Sequence, residues 1–283
     1  CGIFGLKPTW NLVPKQSGSG GWSTMSHAGP MTRTVADAAL MMDAMAGFEP
    51  DVAFSFAKPV TSYSDEIEKP LGGLRVAWSP NMGYGVVDTE VAALAEAAAK
   101  KFTDLGCEVE EADPDWAQLA GPGSPFVALA GVETYAGLGE VVEQHGDQLM
   151  DYTVAFVNHG KQFTAVDYIK AQQDRVAMWE KLSSFFVRYD LLLTPSMATV
   201  AFPHGQQPKQ IAGVDVPPFA WSPFTTPFNL TGVPAATVPA GFNSEGLPVG
   251  LQIVGPAFQD HVVLRAAAAY EKAAPWSNQK PEL

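Results

Sequence analysis

The chain has 283 residues, of which 47% are apolar and 17% charged, and its formal net charge at pH 7 is −13. This composition is typical of a globular protein with a sizeable core and excludes a disordered chain. Nucleic-acid binding needs clustered Lys and Arg, so the negative charge argues against a nucleic-acid partner. The sequence shows no apolar run long enough for a membrane span, so no membrane partner is predicted.

Residue types that bind metals are few and scattered. Cys1 and Cys107 have no spacing typical of a disulfide framework or a metal site, and the five histidines form no paired motif. We therefore expect no metal site, and a cytoplasmic location.

The first part of the chain reads as a strand, a turn and a helix. Cys1–Thr9 has apolar residues between two glycines and predicts a strand that enters a turn. Gln16–Trp22 is rich in Gly and Ser and predicts a flexible turn. Thr34 and Asp37 have the spacing of a capping box, which predicts that a helix begins there and continues to Met45.

A β-α-β unit follows. Leu74–Trp78 predicts a strand, and Asp88 is placed to cap a helix whose apolar stripe extends to Leu105. Cys107–Val109 begins another strand after the glycine that ends this helix. The segment Asp113–Pro125 is rich in Pro and Gly and predicts a loop.

The middle of the chain is mainly helical. Phe126–Val142 predicts a helix despite its glycines, and a second capping box at Thr164 begins an amphipathic helix that ends near Arg188. Asp190–Pro195 predicts a short, fully buried strand. Residues 196–220 predict a long irregular loop, which is usually functional or mobile.

The last third alternates strands and turns. Four prolines between Trp221 and Pro239 predict extended segments broken by turns. Strands are predicted at 235–238 and 249–254, and Asp260 is placed to cap a final helix. The element order predicts an α/β fold in which helices cover a mixed sheet.

Local patterns for nucleophilic catalysis are weak. Gly18–Gly21 contains a serine but lacks the Gly-x-Ser-x-Gly pattern, so a flexible turn is the better interpretation. Ser19, His27 and Asp37 offer the residue types of a triad, but a triad is defined by geometry. The aromatic and hydroxyl side chains from Trp221 onward fit an apolar pocket and a plain core segment equally well.

Four segments in order resemble motifs of the amidase signature family and extend over nearly the whole chain. They are CGIFGLKPT at 1–9, SHAGPMTRTVAD at 26–37, YDLLLTP at 189–195, and PFNLTGVPAATVP at 227–239 continuing to GLPVGLQ at 246–252.

The resemblance implies a hydrolase of carbon–nitrogen amide bonds. Members use a Ser-Ser-Lys triad to form an acyl-enzyme, with main-chain N–H groups stabilising the oxyanion and with no metal or organic cofactor. The triad and the oxyanion loop precede the CGIFGLKPT motif. We therefore expect residues 1–283 to be the C-terminal part of a single amidase-signature domain, incomplete at its N-terminal side and without a catalytic residue. Such a chain alone is expected to be inactive.

The resemblance also implies a substrate-binding wall. In the glutamine amidotransferase subunits of this family an Asp holds the substrate's amino group, and Ser222 stands at that position here, which favours an amidase acting on linear amides. The expected wall comprises Gly131, Tyr135, Trp221, Ser222, Phe224 and Thr225.

Two other functions remain open. The chain is alternatively a non-catalytic binding or scaffold protein with part of an amidase fold, or a glutamine amidotransferase A-type subunit. The partners expected for the amidase are a small-molecule amide, the missing N-terminal segment of the same protein, and a second copy in a homodimer.

Overall fold

The computed structural model describes residues 1–15, 24–120 and 124–279. The predicted turn at Gln16–Trp22 lies outside these residues. The strands are β1 Phe4–Lys7, β2 Met31–Thr32, β3 Arg75–Trp78, β4 Glu108–Glu111, β5 Leu191–Pro195, β6 Gln210–Ile211, β7 Val214–Asp215, β8 Ala235–Phe242 and β9 Pro248–Val254. The helices are α1 Val35–Met45, α2 Tyr63–Glu66, α3 Thr89–Asp104, α4 Ala117–Ala120, α5 Pro125–His145, α6 Asp151–Gly160, α7 Ala165–Phe185, α8 Thr226–Thr231 and α9 Asp260–Ala273.

In the part of the chain that the structure describes, seven strands form one mixed sheet, which confirms the predicted α/β fold. Their order is β2-β1-β8-β9-β5-β3-β4. The β5, β3 and β4 strands are parallel, and the remaining pairs are antiparallel. The sheet therefore ends on one side in the two-residue β2 and on the other in the acidic β4.

The predicted β-α-β unit is present as β3-α3-β4. Asp88 caps α3 by accepting hydrogen bonds from the main-chain N–H groups of Glu90 and Val91, at 2.9 and 3.3 Å. The buried stripe of this helix includes Ala95 and Phe102. The caps predicted at Thr34 and Thr164 are also confirmed.

The two faces of the sheet are covered by different helices. Side chains alternate between faces along a strand, so Leu191 packs into one core and its neighbour Leu192 into the other. The first core contains residues of α1, α3 and α9, and the second contains residues of α5, α7 and α8. Within the described residues, no helix is both long enough and apolar enough to cross a membrane.

The extended conformation predicted after Trp221 is wrong, because residues Thr226–Thr231 form α8. Pro227 lies in the first turn of that helix, where a missing N–H group costs no hydrogen bond. Gly232 ends the helix with a positive φ of 73°. The strand predicted at 235–238 continues to Phe242 across a bulge between Pro239 and Gly241.

Three further local predictions are corrected. The loop predicted at Asp113–Pro125 contains α4, and the irregular stretch 196–220 contains the β6–β7 hairpin. Asp260 does not cap α9, because it lies in the first turn and its carboxylate accepts hydrogen bonds from Thr9 instead. The two Thr9–Asp260 distances are 2.7 Å from the main-chain N and 2.6 Å from Oγ1.

Candidate functional site

A cavity of about 830 Å³ lies over β1, β8 and β9. Its floor is the part of the sheet that includes Gly5, Thr237 and Gly250, and one wall is the segment that leaves β5. Apolar atoms form most of the lining, and a few polar side chains face inward. A concave apolar site with a few polar groups is typical of small-molecule binding.

A pair of hydroxyl groups lies at the floor of the cavity. Ser196 Oγ and Thr237 Oγ1 are 2.6 Å apart and share one hydrogen bond. Gly250 lies against both, and a Cβ at this position would be 2.7 Å from the Ser196 hydroxyl and 2.8 Å from that of Thr237. Glycine is therefore needed here for the two hydroxyls to approach the strand and face the cavity.

Gln252 fixes the strand behind this floor. Its Nε2 donates to Thr194 Oγ1 at 2.9 Å and to the carbonyl oxygen of Phe224 at 3.0 Å. The side chain is buried, so these bonds join β9 to β5 and to the chain that leads into α8. A buried amide with both protons bonded gives the cavity a rigid base.

Lys7, at the end of β1, lies at one end of the cavity. Its Nζ donates to the main-chain carbonyl oxygens of Val233 and Pro8. Burial lowers the pKa of Lys7 to about 7, and the nearby Asp260 carboxylate opposes that shift. Near neutral pH the amine is thus divided between its charged and neutral forms.

His27 lines the cavity near Lys7. Its Nδ1 is 2.9 Å from the carbonyl oxygen of Met25, so we assign the proton to Nδ1, which leaves Nε2 as an acceptor. Burial and the Lys7 charge lower the pKa of His27 to about 3, and the ring is neutral at physiological pH. Among the described residues, buried Nε2 has no hydrogen-bond partner.

The position of His27 follows from its sequence neighbours. Gly29 lies so close to β1 that a Cβ would overlap the carbonyl oxygen of Leu6. Leu6 in turn donates its main-chain N–H to Pro30 at 3.0 Å. The Gly-Pro pair therefore brings this segment against the strand and directs His27 to the cavity. Asn229 strengthens the arrangement by donating to Met25 O at 2.9 Å.

Two of the six predicted wall residues, Trp221 and Thr225, line the cavity. Ser222 lies beside them, and its hydroxyl is 2.9 Å from that of Thr225. Phe224 is fully buried behind the wall, with its ring against Gly85. These four residues are thus adjacent, although they differ in their access to the cavity.

Gly131 and Tyr135 lie elsewhere, on α5 where it packs against α6. A Cβ on Gly131 would be 3.2 Å from the Cα of Gly160, so the two helices touch through their backbones. Tyr135 packs over the same contact and against Gly139. Neither residue lies at the cavity over β8.

Sequence patterns do not single out the polar groups of the floor. Lys7, His27 and Thr237 lie in the segments that resemble the family, without a binding role assigned to them there, and Ser196 lies outside these segments. The alternation in β8 carries a signal, because Thr237 is a hydroxyl residue in an apolar strand. Its pairing with Ser196 depends on the β5–β9–β8 order, which local patterns do not show.

Comparison with known proteins gives a consistent result. The family model described as Amidase matches residues 1–264. The chain is 38% identical over 284 residues to an acylamidase of Rhodococcus erythropolis, covering 99% of this chain and 59% of the relative. It is 30% identical over 305 residues to the A-type subunit of the glutamyl-tRNA(Gln) amidotransferase of Moorella thermoacetica, covering 100% of this chain and 61% of that relative.

Solved structures agree with this assignment. A bacterial aryl acylamidase of the amidase signature enzymes superposes with a TM-score of 0.82 at 27% identity, covering 98% of this chain and 59% of that one. The chain thus spans about three fifths of the length of these relatives. The match over residues 1–264 and the shared sheet establish that this chain belongs to the amidase family.

Proposed function

We propose that this chain forms the substrate-binding part of an amidase that hydrolyses a carbon–nitrogen amide bond through an acyl-enzyme. One observation carries the proposal: the segments that resemble the family converge on one cavity. The first supplies Lys7, the second His27, and the fourth Asn229, Thr237 and Gly250. The remaining segment, 189–195, ends at the residue before Ser196 of the hydroxyl pair.

In this proposal the nucleophile, the bridging serine, the base and the oxyanion loop come from outside residues 1–283. Two observations support this division. Among the residues that the structure describes, the hydrogen-bond partners of Lys7 Nζ are carbonyl oxygens. In addition, about two fifths of each relative's length lies outside the part that this chain matches. The chain is then the C-terminal part of a single amidase-signature domain.

The cavity residues bind and orient the amide. The Ser196–Thr237 pair provides a donor and acceptor for the polar end of a substrate, and the neutral His27 ring forms part of the lining. Trp221, Ser222, Phe224 and Thr225 form or support the wall next to them. Gly131 and Tyr135 are retained as a second part of the wall, on α5, which the cavity described above does not include.

An amidase is favoured over a glutamine amidotransferase at Ser222. A carboxylate at that position would hold the amino group of glutamine, whereas the Ser222 hydroxyl is bonded to Thr225 Oγ1 at 2.9 Å. A neutral hydroxyl pair attracts an ammonium group far less than a carboxylate does. A linear amide that lacks an ammonium group therefore fits this site better than glutamine does.

The test is hydrolysis of a chromogenic amide, p-nitroacetanilide, by residues 1–283 and by the complete product of the gene that encodes them. We expect turnover by a longer form with a Gly-rich serine loop before Cys1, and a rate lower by about 10⁶-fold or more for residues 1–283, because nucleophile and oxyanion hole act as a unit. Glutamine should not be deamidated by either form.

Each result bears on a separate part of the proposal. Comparable turnover by residues 1–283 alone would show that the chain holds its own nucleophile. A longer form that has the serine loop but hydrolyses no amide would favour a non-catalytic binding protein instead. Glutaminase activity of the longer form would favour the glutamine amidotransferase.

The proposal includes a cytoplasmic location and a homodimer. Cys1 and Cys107 are both free thiols, which is in keeping with a reducing compartment. Exposed apolar side chains on α7 offer a surface for a second copy: Ile169 is 57% exposed, Val176 56% and Trp179 41%. Ile169 and Val176 lie on the face opposite the buried Met178 and Leu182, and Trp179 lies at the side of that face.

A further inference from the structure

The segment that joins β5 to α8 forms a closed loop over one side of the cavity. Its two ends meet where the N–H of Ala198 donates to the carbonyl oxygen of Trp221 at 3.0 Å. At its β5 end, the N–H of Ser196 donates to Gly250 O at 2.9 Å. Two aromatic residues of this loop, Phe202 and Trp221, line the cavity.

These two rings form one aromatic wall. Their centroids are 5.5 Å apart and their planes cross at 70°, which is a favourable edge-to-face arrangement. Trp221 is half-buried, so part of the indole remains available to a ligand. Phe202 supports it from the side of the loop.

Gln207 holds the indole from the other side of the loop. Its Oε1 accepts the Nε1–H of Trp221 at 3.3 Å and the main-chain N–H of Phe219 at 3.0 Å. Phe219 has a φ of 67°, a left-handed conformation that is unfavourable for a non-glycine residue. One side-chain oxygen thus stabilises both a strained turn and the ring that follows it by two residues.

The same cavity has a different character at its floor. The Ser196–Thr237 hydroxyl pair can donate to a carbonyl oxygen or accept from an N–H group. A ligand that satisfies both regions has one amide group and one flat apolar group.

We propose that Gln207 is a positioning residue that fixes Trp221 as the wall of an aromatic subsite, which selects amides bearing an aryl group over aliphatic amides. This inference rests on the proposed function for the choice of an amide, but the subsite itself rests on the Phe202, Gln207 and Trp221 contacts. Gln207 acts through the indole and does not touch the ligand.

The test measures equilibrium binding of acetanilide and N-butylacetamide to the full 283-residue chain by calorimetry. We expect Trp221→Ala to weaken acetanilide binding by about tenfold and N-butylacetamide binding by about threefold, because an aromatic contact adds to apolar burial. Gln207→Leu should weaken acetanilide binding by about threefold, mainly through loss of the hydrogen bond to the Trp221 indole. Gln207→Glu keeps an acceptor oxygen and should stay within about twofold of wild type.

A double-mutant cycle separates positioning from a general effect on the loop. Trp221→Phe retains a ring but lacks the Nε1 donor, so Gln207→Leu should weaken acetanilide binding less in that background than in wild type. The Phe219 bond is lost equally in both backgrounds and cancels. Gln206→Leu, at the exposed neighbouring residue, is the matched control and should leave both affinities unchanged.

The inference is overturned if wild type fails to bind acetanilide at millimolar concentration, if Trp221→Ala weakens both amides equally, or if Gln207→Leu acts equally in both backgrounds. Failure of the proposed function looks different. If the affinities of wild type and of the Trp221 and Gln207 variants follow the expected order but the longer form hydrolyses no amide, the aromatic subsite is supported and the proposed amidase activity is contradicted.

Discussion

Thr9 and Asp260 join β1 to α9 through buried hydrogen bonds. The Thr9 hydroxyl donates to Asp260 Oδ2 at 2.6 Å and accepts the N–H of Phe258 at 2.9 Å. The Thr9 and Asp260 side chains are almost fully buried, so water cannot replace the bond between them. Burial raises the pKa of Asp260, although the hydrogen bonds from Thr9 oppose this shift.

We therefore expect Thr9→Val to lower the free energy of unfolding by roughly 1–3 kcal/mol, because it leaves a buried carboxylate oxygen of Asp260 without the hydroxyl that binds it. Urea denaturation at pH 7 measures this. Thr61→Val, at an exposed threonine, is the matched control and should change stability by less than about 0.5 kcal/mol. Equal effects of the two substitutions would show that the Thr9–Asp260 contact contributes little.

Lys7 gives a pH dependence of stability with a defined sign. Its pKa is about 7 in the folded chain, against an ordinary value of 10.5. Between these values the unfolded chain binds a proton that the folded chain does not, so the free energy of unfolding rises with pH. The charged and titratable neighbours are Asp260, whose carboxylate opposes the shift, and His27.

We expect the stability of wild type relative to Lys7→Met to increase from pH 7 to pH 9.5, by at most about 1.4 kcal/mol per pH unit. Urea denaturation of both proteins at several pH values gives the difference, in which the ionisation of other groups cancels. Lys209→Met, at an exposed lysine, should show no such trend. A constant difference between wild type and Lys7→Met would contradict the lowered pKa.

At the scale of elements, the contact between α5 and α6 depends on two glycines. A Cβ on Gly160 would overlap the carbonyl group of Gly131 and lie 3.0 Å from the Cβ of Tyr135. Backbone atoms cannot move aside as a flexible side chain can, so the helices would have to separate.

Gly160→Ala should therefore lower the free energy of unfolding by about 1–3 kcal/mol, as expected for overpacking, and thermal denaturation measures this. Gly146→Ala is the control in the same region. It has a helical φ of −59°, and its Cβ would meet only Val142 at 3.8 Å. This substitution should be neutral or slightly stabilising. A Gly160→Ala protein as stable as Gly146→Ala would show that the helices adjust at no cost.

The elements that sequence patterns predict correctly are those whose causes are local. Asp88 caps α3 because its carboxylate reaches N–H groups two and three residues ahead. Asp260 lies one position further along, in the first turn of α9, and its carboxylate binds Thr9, 251 residues away in the chain. Pro227 indicates an extended chain by its residue type alone, although the first turn of a helix accepts proline equally well.

The residues of the cavity also divide into those that local sequence predicts and those that long-range packing brings together. The family motifs predict which segments matter, and Trp221 and Thr225 line the cavity. The Ser196–Thr237 pair depends on β5, β9 and β8 lying side by side, which long-range packing decides.

At the scale of the whole molecule, the proposed homodimer would use the exposed face of α7. We expect Ile169→Glu to shift the protein toward the monomer, because it places a charge among apolar side chains that a second copy would bury. Light scattering coupled to gel filtration measures the mass. Gln206→Glu adds the same charge at an exposed residue outside α7 and should have a smaller effect. A wild-type chain that remains monomeric at high concentration would remove the homodimer from the proposal.

The sheet itself offers little to a second copy, because of how it ends. The strand at one edge of the sheet, β4, consists of three glutamates and one valine: Glu108, Val109, Glu110 and Glu111. Pairing two such strands from different molecules would set rows of carboxylates side by side, and like charges at that spacing repel. The opposite end, β2, is only two residues long and gives a new strand little to extend. The fold thus resists growth into fibres, even though its interior strands are among its most apolar segments.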